Sequence, residues 1–211
     1  MLPEATSLEE RHHNSYVRKA LQKCQEIGLA QTDLVITEEL DGQGACECEQ
    51  TSTYILYTKY TSLEVPLRCG TCFLPVPLYR LPRMEDDGYN DIFKWESNYQ
   101  ACDTLWMNCT TIERTVERQL SHLNSDLSKQ GLELCRQIFQ KTGVPTYYYL
   151  LRYGGRSMKQ ERARLCPSCG GEWLLPERWE NRFDFRCDCC YLLSNISMVV
   201  WDRYQARNQT A

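Results

Sequence analysis

Cys166-Pro-Ser-Cys169-Gly-Gly opens the stretch whose reading decides the fold, and Arg182-Phe-Asp-Phe-Arg-Cys187-Asp-Cys189-Cys190 closes it. Two residues separate Cys166 from Cys169, and two separate Cys187 from Cys190. A gap of that length makes a tight turn that aims both sulfurs at one point. Glycine after the second cysteine supplies the positive φ such a turn needs. Seventeen residues lie between the two pairs, a separation that matches a zinc ribbon. Four thiolates then complete a tetrahedral shell with Zn–S near ~2.3 Å. No position is left for water, so the pattern predicts a structural site without metal chemistry. Cys189 competes with Cys190 for the fourth place, and Cys190 has the better spacing.

Working outward, the chain holds 13 cysteines in 211 residues. The count is odd and the N-terminus lacks the basic and apolar regions of a secretory signal, so a reduced, cytoplasmic chain with metal-bound cysteines is expected in place of a disulfide framework. A second set supports this. Cys46-Glu-Cys48 precedes Cys69-Gly-Thr-Cys72 by 20 residues, with a β-rich segment at 52–60 between them. Cys46, Cys48, Cys69 and Cys72 are the favoured shell of a second zinc. Cys102 and Cys109, on an expected helix, compete for it. Cys24 and Cys135 lie on apolar helix faces and read as small core residues.

The remaining pattern is mixed. Helices are expected over 8–27, 91–107, 111–123 and 126–141 from apolar residues at helical spacing. Asp33–Thr37 reads as a short strand, 41–44 as a turn, 73–81 as an extended segment broken by prolines, and Thr146–Tyr153 as a strong strand. Residues 154–164 read as a basic linker, and 171–175 and 182–186 as ribbon strands. The predicted fold is α+β, with central helices flanked by cysteine-rich β elements and a C-terminal zinc ribbon. Its expected divisions are an N-terminal helix and strand (1–44), a cysteine-rich β element plus helical segment (45–153) and the ribbon (154–211).

Charge narrows the function. Residues 1–100 carry 9 basic and 16 acidic side chains, a net of −7; residues 101–211 carry 15 and 12, a net of +3. Mean hydropathy is −0.54, and no apolar run reaches the ~18 residues of a membrane span. Glu38, Glu39, Asp41, Glu85, Asp86, Asp87 and Asp91 form an acidic set suited to a basic protein surface. Arg152, Arg156, Lys159, Arg162 and Arg164 face only Glu161 within 152–164, and Tyr147, Tyr148, Tyr149 and Tyr153 beside them suit base stacking. The histidines are His12, His13 and His122. None stands in a metalloprotease or deaminase motif, and neither a phosphate loop nor a nucleophile elbow is found. No catalytic residue is assigned and no enzyme is expected.

Three strings carry a family resemblance: Arg-Cys-Gly-Thr-Cys-Phe-Leu-Pro-Val-Pro-Leu-Tyr (68–79), Pro-Thr-Tyr-Tyr-Tyr-Leu (145–150) and Phe-Asp-Phe-Arg-Cys-Asp-Cys-Cys-Tyr-Leu-Leu-Ser-Asn-Ile-Ser (183–197). Together, over roughly 40–200, they resemble a bacterial family of zinc-ribbon-containing proteins of unknown function that carries a nucleic-acid-binding label. Its members resemble immunity proteins of toxin loci. The resemblance implies a protein that binds and occludes a cognate toxin, with nucleic-acid binding as the alternative.

Overall fold

A computed structural model describes residues 5–29, 44–84 and 88–208. The expected strand at 33–37, most of the turn at 41–44, and Glu38, Glu39, Asp41, Glu85, Asp86 and Asp87 lie outside the described residues.

The aromatic run Thr146–Leu150 is the axis of the sheet, and all five of its residues are buried. Chain order gives it the label β3. On one side β1 (Tyr54–Leu56) runs parallel to it, and β2 (Leu67–Cys69) pairs antiparallel with β1. On the other side β6 (Leu192–Ser194) also runs parallel to β3. Beyond it lie β5 (Phe183–Cys187) and β4 (Leu174–Trp179), each antiparallel to its neighbour. The order β2-β1-β3-β6-β5-β4 therefore joins both cysteine-rich regions in one six-stranded sheet. Tyr54 stands opposite both Cys69 and Thr146, and Leu192 opposite both Cys187 and Tyr148. The register thus brings the cysteine-bearing ends of β2 and β5 to the same end of the sheet.

Alternation along β3 separates its two faces. Tyr148 points at the helices, and Tyr147 and Tyr149 point away. Helix α4 (Asp126–Thr142) packs on β3. Ser125 caps its start by accepting from the Ser128 N–H at 3.1 Å, and Gly143 ends it at φ 72°. A Cβ on Gly131 would sit 2.2 Å from the Tyr148 ring and 2.9 Å from Trp95 Nε1, so only glycine lets α4 approach this closely. Against α4 lies α2 (Asn90–Asn108), with Ile92, Trp95, Tyr99 and Trp106 buried and Cys102, on the same helical spacing, half-buried. The Trp95 indole donates to the Leu127 carbonyl at 3.2 Å. Val116 and Leu120 of α3 (Glu113–Ser121) complete this layer.

Several expectations need correction. The helix expected over 8–27 is α1 (Ser15–Glu26), capped by Asn14 and preceded by two short 3-10 turns. None of its residues is buried, so Cys24 is no core residue. Cys135 is one. The expected linker 154–164 contains α5 (Met158–Arg162), begun by Ser157 and fixed by the buried Glu161. The ribbon strand expected at 171–175 lies further on, as β4. A closing helix, α6 (Met198–Asn208), was not expected at all.

Candidate metal centres

Each cysteine cluster is assembled from turns that local backbone hydrogen bonds impose. In 69–72, the N–H groups of Thr71 and Cys72 donate to the Cys69 sulfur, Thr71 at 3.4 Å. In 166–169, Ser168 and Cys169 do the same for Cys166. In 187–190, Cys190 donates to Cys187. The residue after the second cysteine is left-handed in all three: Phe73 at φ 58°, Gly170 at 73° and Tyr191 at 52°. The expectation of glycine at this position is met only once. At the other two, aromatic packing offsets the roughly 1 kcal/mol a non-glycine residue costs there. Phe73 packs on Tyr57 and Phe183, and Tyr191 on Tyr147 and Phe139.

The knuckle at 69–72 meets Cys46 and Cys48, which come from an extended segment and not from a turn. Cys46 donates its N–H to the Pro75 carbonyl at 2.8 Å, and Arg80 holds the Cys46 carbonyl at 2.5 Å. The four sulfurs of Cys46, Cys48, Cys69 and Cys72 lie within 4.8 Å of one another, as do those of Cys166, Cys169, Cys187 and Cys190. A tetrahedral thiolate shell of radius ~2.3 Å has edges of ~3.8 Å, and Cys169 and Cys187 stand 3.6 Å apart. Both groups of four can therefore hold a metal ion. Cys102 is half-buried on α2 and Cys109 is exposed at its end; neither joins a cluster. Cys189 is exposed beside the second cluster, and Cys190 takes the fourth place.

The thiols show why a cation fits. Burial raises Cys69, but the Thr71 and Cys72 N–H groups and the Thr51 hydroxyl outweigh it and hold the thiol down to about 6. The Gly171 N–H, with the neighbouring thiols, lowers Cys169 to about 7. Burial and adjacent thiols push Cys72 up to about 12, and burial also raises Cys187. Each cluster thus sets one lowered thiol beside raised ones, Cys48 and Cys72 in the first and Cys166 and Cys187 in the second, a contrast that a divalent cation removes by taking all four as thiolates. Asp188, inside the last knuckle, accepts from Tyr147 at 2.6 Å and Arg186 at 2.5 Å, which ties that knuckle to β3 and β5. Trp179 of β4 donates to the Gly70 carbonyl at 3.1 Å and so bonds one cysteine region to the other.

The other expected site residues are scattered. Asp91 is exposed and paired with Lys94. Arg152 and Arg164 do not form an open basic face. Both converge on Glu161, which is 2% exposed, at 2.9 and 3.1 Å. Arg156, Lys159 and Arg162 remain exposed. Tyr147 and Tyr148 are buried, Tyr149 is buried but for 8% of its surface, and the exposed Tyr153 stands edge-on against Trp106, so the four rings do not form one open stacking face. Glu161 itself went unrecognised, because its sequence neighbourhood reads as a solvated basic loop.

Among the described residues, no helix is long and apolar enough to cross a membrane. Residues 48–151 match a family described as Domain of unknown function (DUF2310), and residues 155–200 match Domain of unknown function (DUF8594). A Haemophilus influenzae protein named "Uncharacterized protein" is 37% identical over 196 residues, covering 92% of this chain and 75% of its own length. A second of the same name and organism is 37% identical over 163 residues, covering 77% and 80%. No solved structure matches the chain.

Proposed function

Because the chain belongs to the family of these bacterial proteins of unknown function, we propose that it is a non-enzymatic binding protein stiffened by two zinc ions, which binds and occludes a cognate bacterial toxin in the cytoplasm. The observation that carries this reading is the closure of both cysteine shells. Four protein sulfurs per cluster fill every tetrahedral position, so the metal contributes folding energy and offers no open site for water or substrate. Soft thiolates in a tetrahedral set suit zinc or iron, and zinc is the reading preferred here. The net of −7 over residues 1–100 supports a basic partner surface. Tyr16 and Leu21 of α1 and Ile27 just after it are exposed and add apolar contact area.

Nucleic-acid binding is the second reading. It rests on Arg156, Lys159 and Arg162, since Arg152 and Arg164 spend their charge on Glu161. Three phosphate contacts give modest, salt-sensitive affinity.

Affinity capture from native lysate, with a nuclease-treated arm and metal analysis of the same sample, tests both. The expected result is a colourless protein with two zinc ions per chain and one stoichiometric protein partner that survives nuclease and moderate salt. Nucleic acid lost with rising salt, and no protein partner, would replace the first reading with the second. Visible absorption from iron would overturn the zinc assignment.

A further inference from the structure

The geometry points to a ligand site that the metal centres do not use: the cleft between the β4–β5 hairpin and helix α6, shaped for a small planar ring bearing an anionic group. Its volume is about 210 Å³, the liquid share of about seven waters at ~30 Å³ each. The floor is aromatic. Tyr57, Tyr149 and Phe183 pack with ring centroids 5.4 to 6.0 Å apart, and Trp201 of α6 adds a wall.

The polar atoms of Tyr149 and Asn195 in this floor are already satisfied. The Tyr149 hydroxyl donates to Asn195 Oδ1 at 2.8 Å, and the Asn195 amide donates to the Arg152 and Ile196 carbonyls, both at 2.8 Å. Tyr149 and Asn195 therefore offer a ligand no spare donor or acceptor, and the mostly aromatic floor favours a ring over a sugar or a polar chain.

Two guanidinium groups line the cleft, and they differ. Arg178 is forked onto the buried Asp184 at 2.9 and 3.2 Å and lies 3.9 Å over the Trp201 ring, so its charge is neutralised. Arg182 lies over Phe73 at 4.9 Å and Tyr57 at 5.9 Å and makes no ion pair among the described residues. Its charge acts on the neighbouring Glu180 carboxyl without a direct ion pair, and its guanidinium beside the aromatic floor matches a carboxylate or phosphate held next to a stacked ring. Asp202 lines the α6 side. A carboxylate there repels the ligand's anion and accepts from a donor on the ring edge, which orients the ligand with its charge at the hairpin.

The hairpin turn sets where Arg182 stands. Glu180 and Asn181 both adopt positive φ, 51° and 53°, in a turn closed by the Arg182 N–H to the Trp179 carbonyl at 3.0 Å. Holding glutamate in this conformation costs about 1 kcal/mol. A two-residue hairpin turn needs positive φ at both central residues, and this one sets Arg182 directly before β5, where it lines the cleft.

The ring and anion can come from an aromatic acid or from a nucleotide. Tryptophan fluorescence and amide-shift titrations of the full, metal-loaded chain separate them, using indole-3-carboxylate and uridine 5′-monophosphate. Uridine, indole and inorganic phosphate serve as controls. One ring-plus-anion probe is expected to bind with Kd below about 1 mM, and the controls at least about tenfold more weakly. Arg182→Ala should weaken the winning probe by about tenfold or more at unchanged metal content, and Trp201→Phe should abolish the fluorescence response. Preference for the carboxylate identifies an aromatic acid, and preference for the monophosphate a nucleotide. The proposal is overturned if neither probe reaches that affinity, if a ring or phosphate alone binds equally well, or if Arg182→Ala binds like the unaltered protein.

Discussion

The two cysteine clusters use the same four-sulfur chemistry in different ways. The second, at Cys166, Cys169, Cys187 and Cys190, is two knuckles facing each other across a short hairpin. The first sets one knuckle, Cys69 and Cys72, against Cys46 and Cys48 on an extended segment. Each cluster has two buried sulfurs, but Cys48 and Cys72 are half-buried whereas Cys169 is exposed. The knuckle turns fold locally, because their own N–H groups bond their own sulfurs. The segment at 46–48 has no such turn and depends on Pro75 and Arg80. The first cluster therefore depends on contacts distant in sequence, and the second is built from two turns that form locally.

The largest effect should come from removing one buried ligand of the first cluster. Cys69→Ser should reduce the metal content from two ions to one and cost several kcal/mol, since metal binding is coupled to folding. Cys169→Ser should also remove one ion but cost less, because water reaches the substituted side chain. Metal stoichiometry with thermal melts reads both, and equal destabilisation would break the contrast. Chelator competition sharpens it further. Release should be biphasic, with the fast phase from the second cluster and absent in Cys169→Ser. Single-phase release in the unaltered protein would mean that exposure does not set the rate.

A smaller effect tests whether the two centres sense each other. Trp179→Phe removes the indole N–H bond to Gly70 and keeps a ring beside Tyr147 and Phe183. The loss should be about 1 kcal/mol. Metal should leave the first cluster faster, although the substitution lies in the second hairpin. A change confined to the second cluster would show that the bond transmits nothing.

The same contrast explains what the sequence disclosed. Paired knuckles, the Thr146–Leu150 strand and the α2 and α4 helices are local patterns, and their spacing or periodicity was legible. The single sheet was not legible, because it depends on β1 and β6 pairing with β3 across long stretches of chain. Glu161 looked solvated among arginines, yet burial makes it the residue that gathers Arg152, Arg164 and the Ser197 N–H. The tyrosines of β3 carried no sign of which face each would take. Helix α6 was hidden in a short C-terminal run with weak amphipathic periodicity. The open cleft needs Tyr57 after β1 together with residues of β3, β4, β5 and α6, so no window of sequence contains it.

The smallest predicted effect concerns the first cluster's flank. Glu96 on α2 is partly buried, which raises its carboxyl to about 7 against an ordinary 4.5, with Arg68 and the Thr58 hydroxyl opposing the shift. Arg68 directly precedes Cys69 in β2 and pairs with Glu64 at 2.5 Å. A pKa raised by folding means that the folded chain holds the proton more tightly. Glu96 therefore contributes stability that is full below about 4.5 and is lost as pH rises through about 7. Thiolate protonation acts in the opposite direction, because acid weakens both metal shells. Comparing the protein with Glu96→Gln cancels that shared term. The variant should melt higher than the parent near pH 8, with the gap closing near pH 5, and differential scanning calorimetry at fixed zinc concentration measures it. A constant gap across that range would mean that the carboxyl stays ionised. The pH response on this side of the sheet would then come from Asp103, which burial also raises while it accepts the Tyr60 N–H.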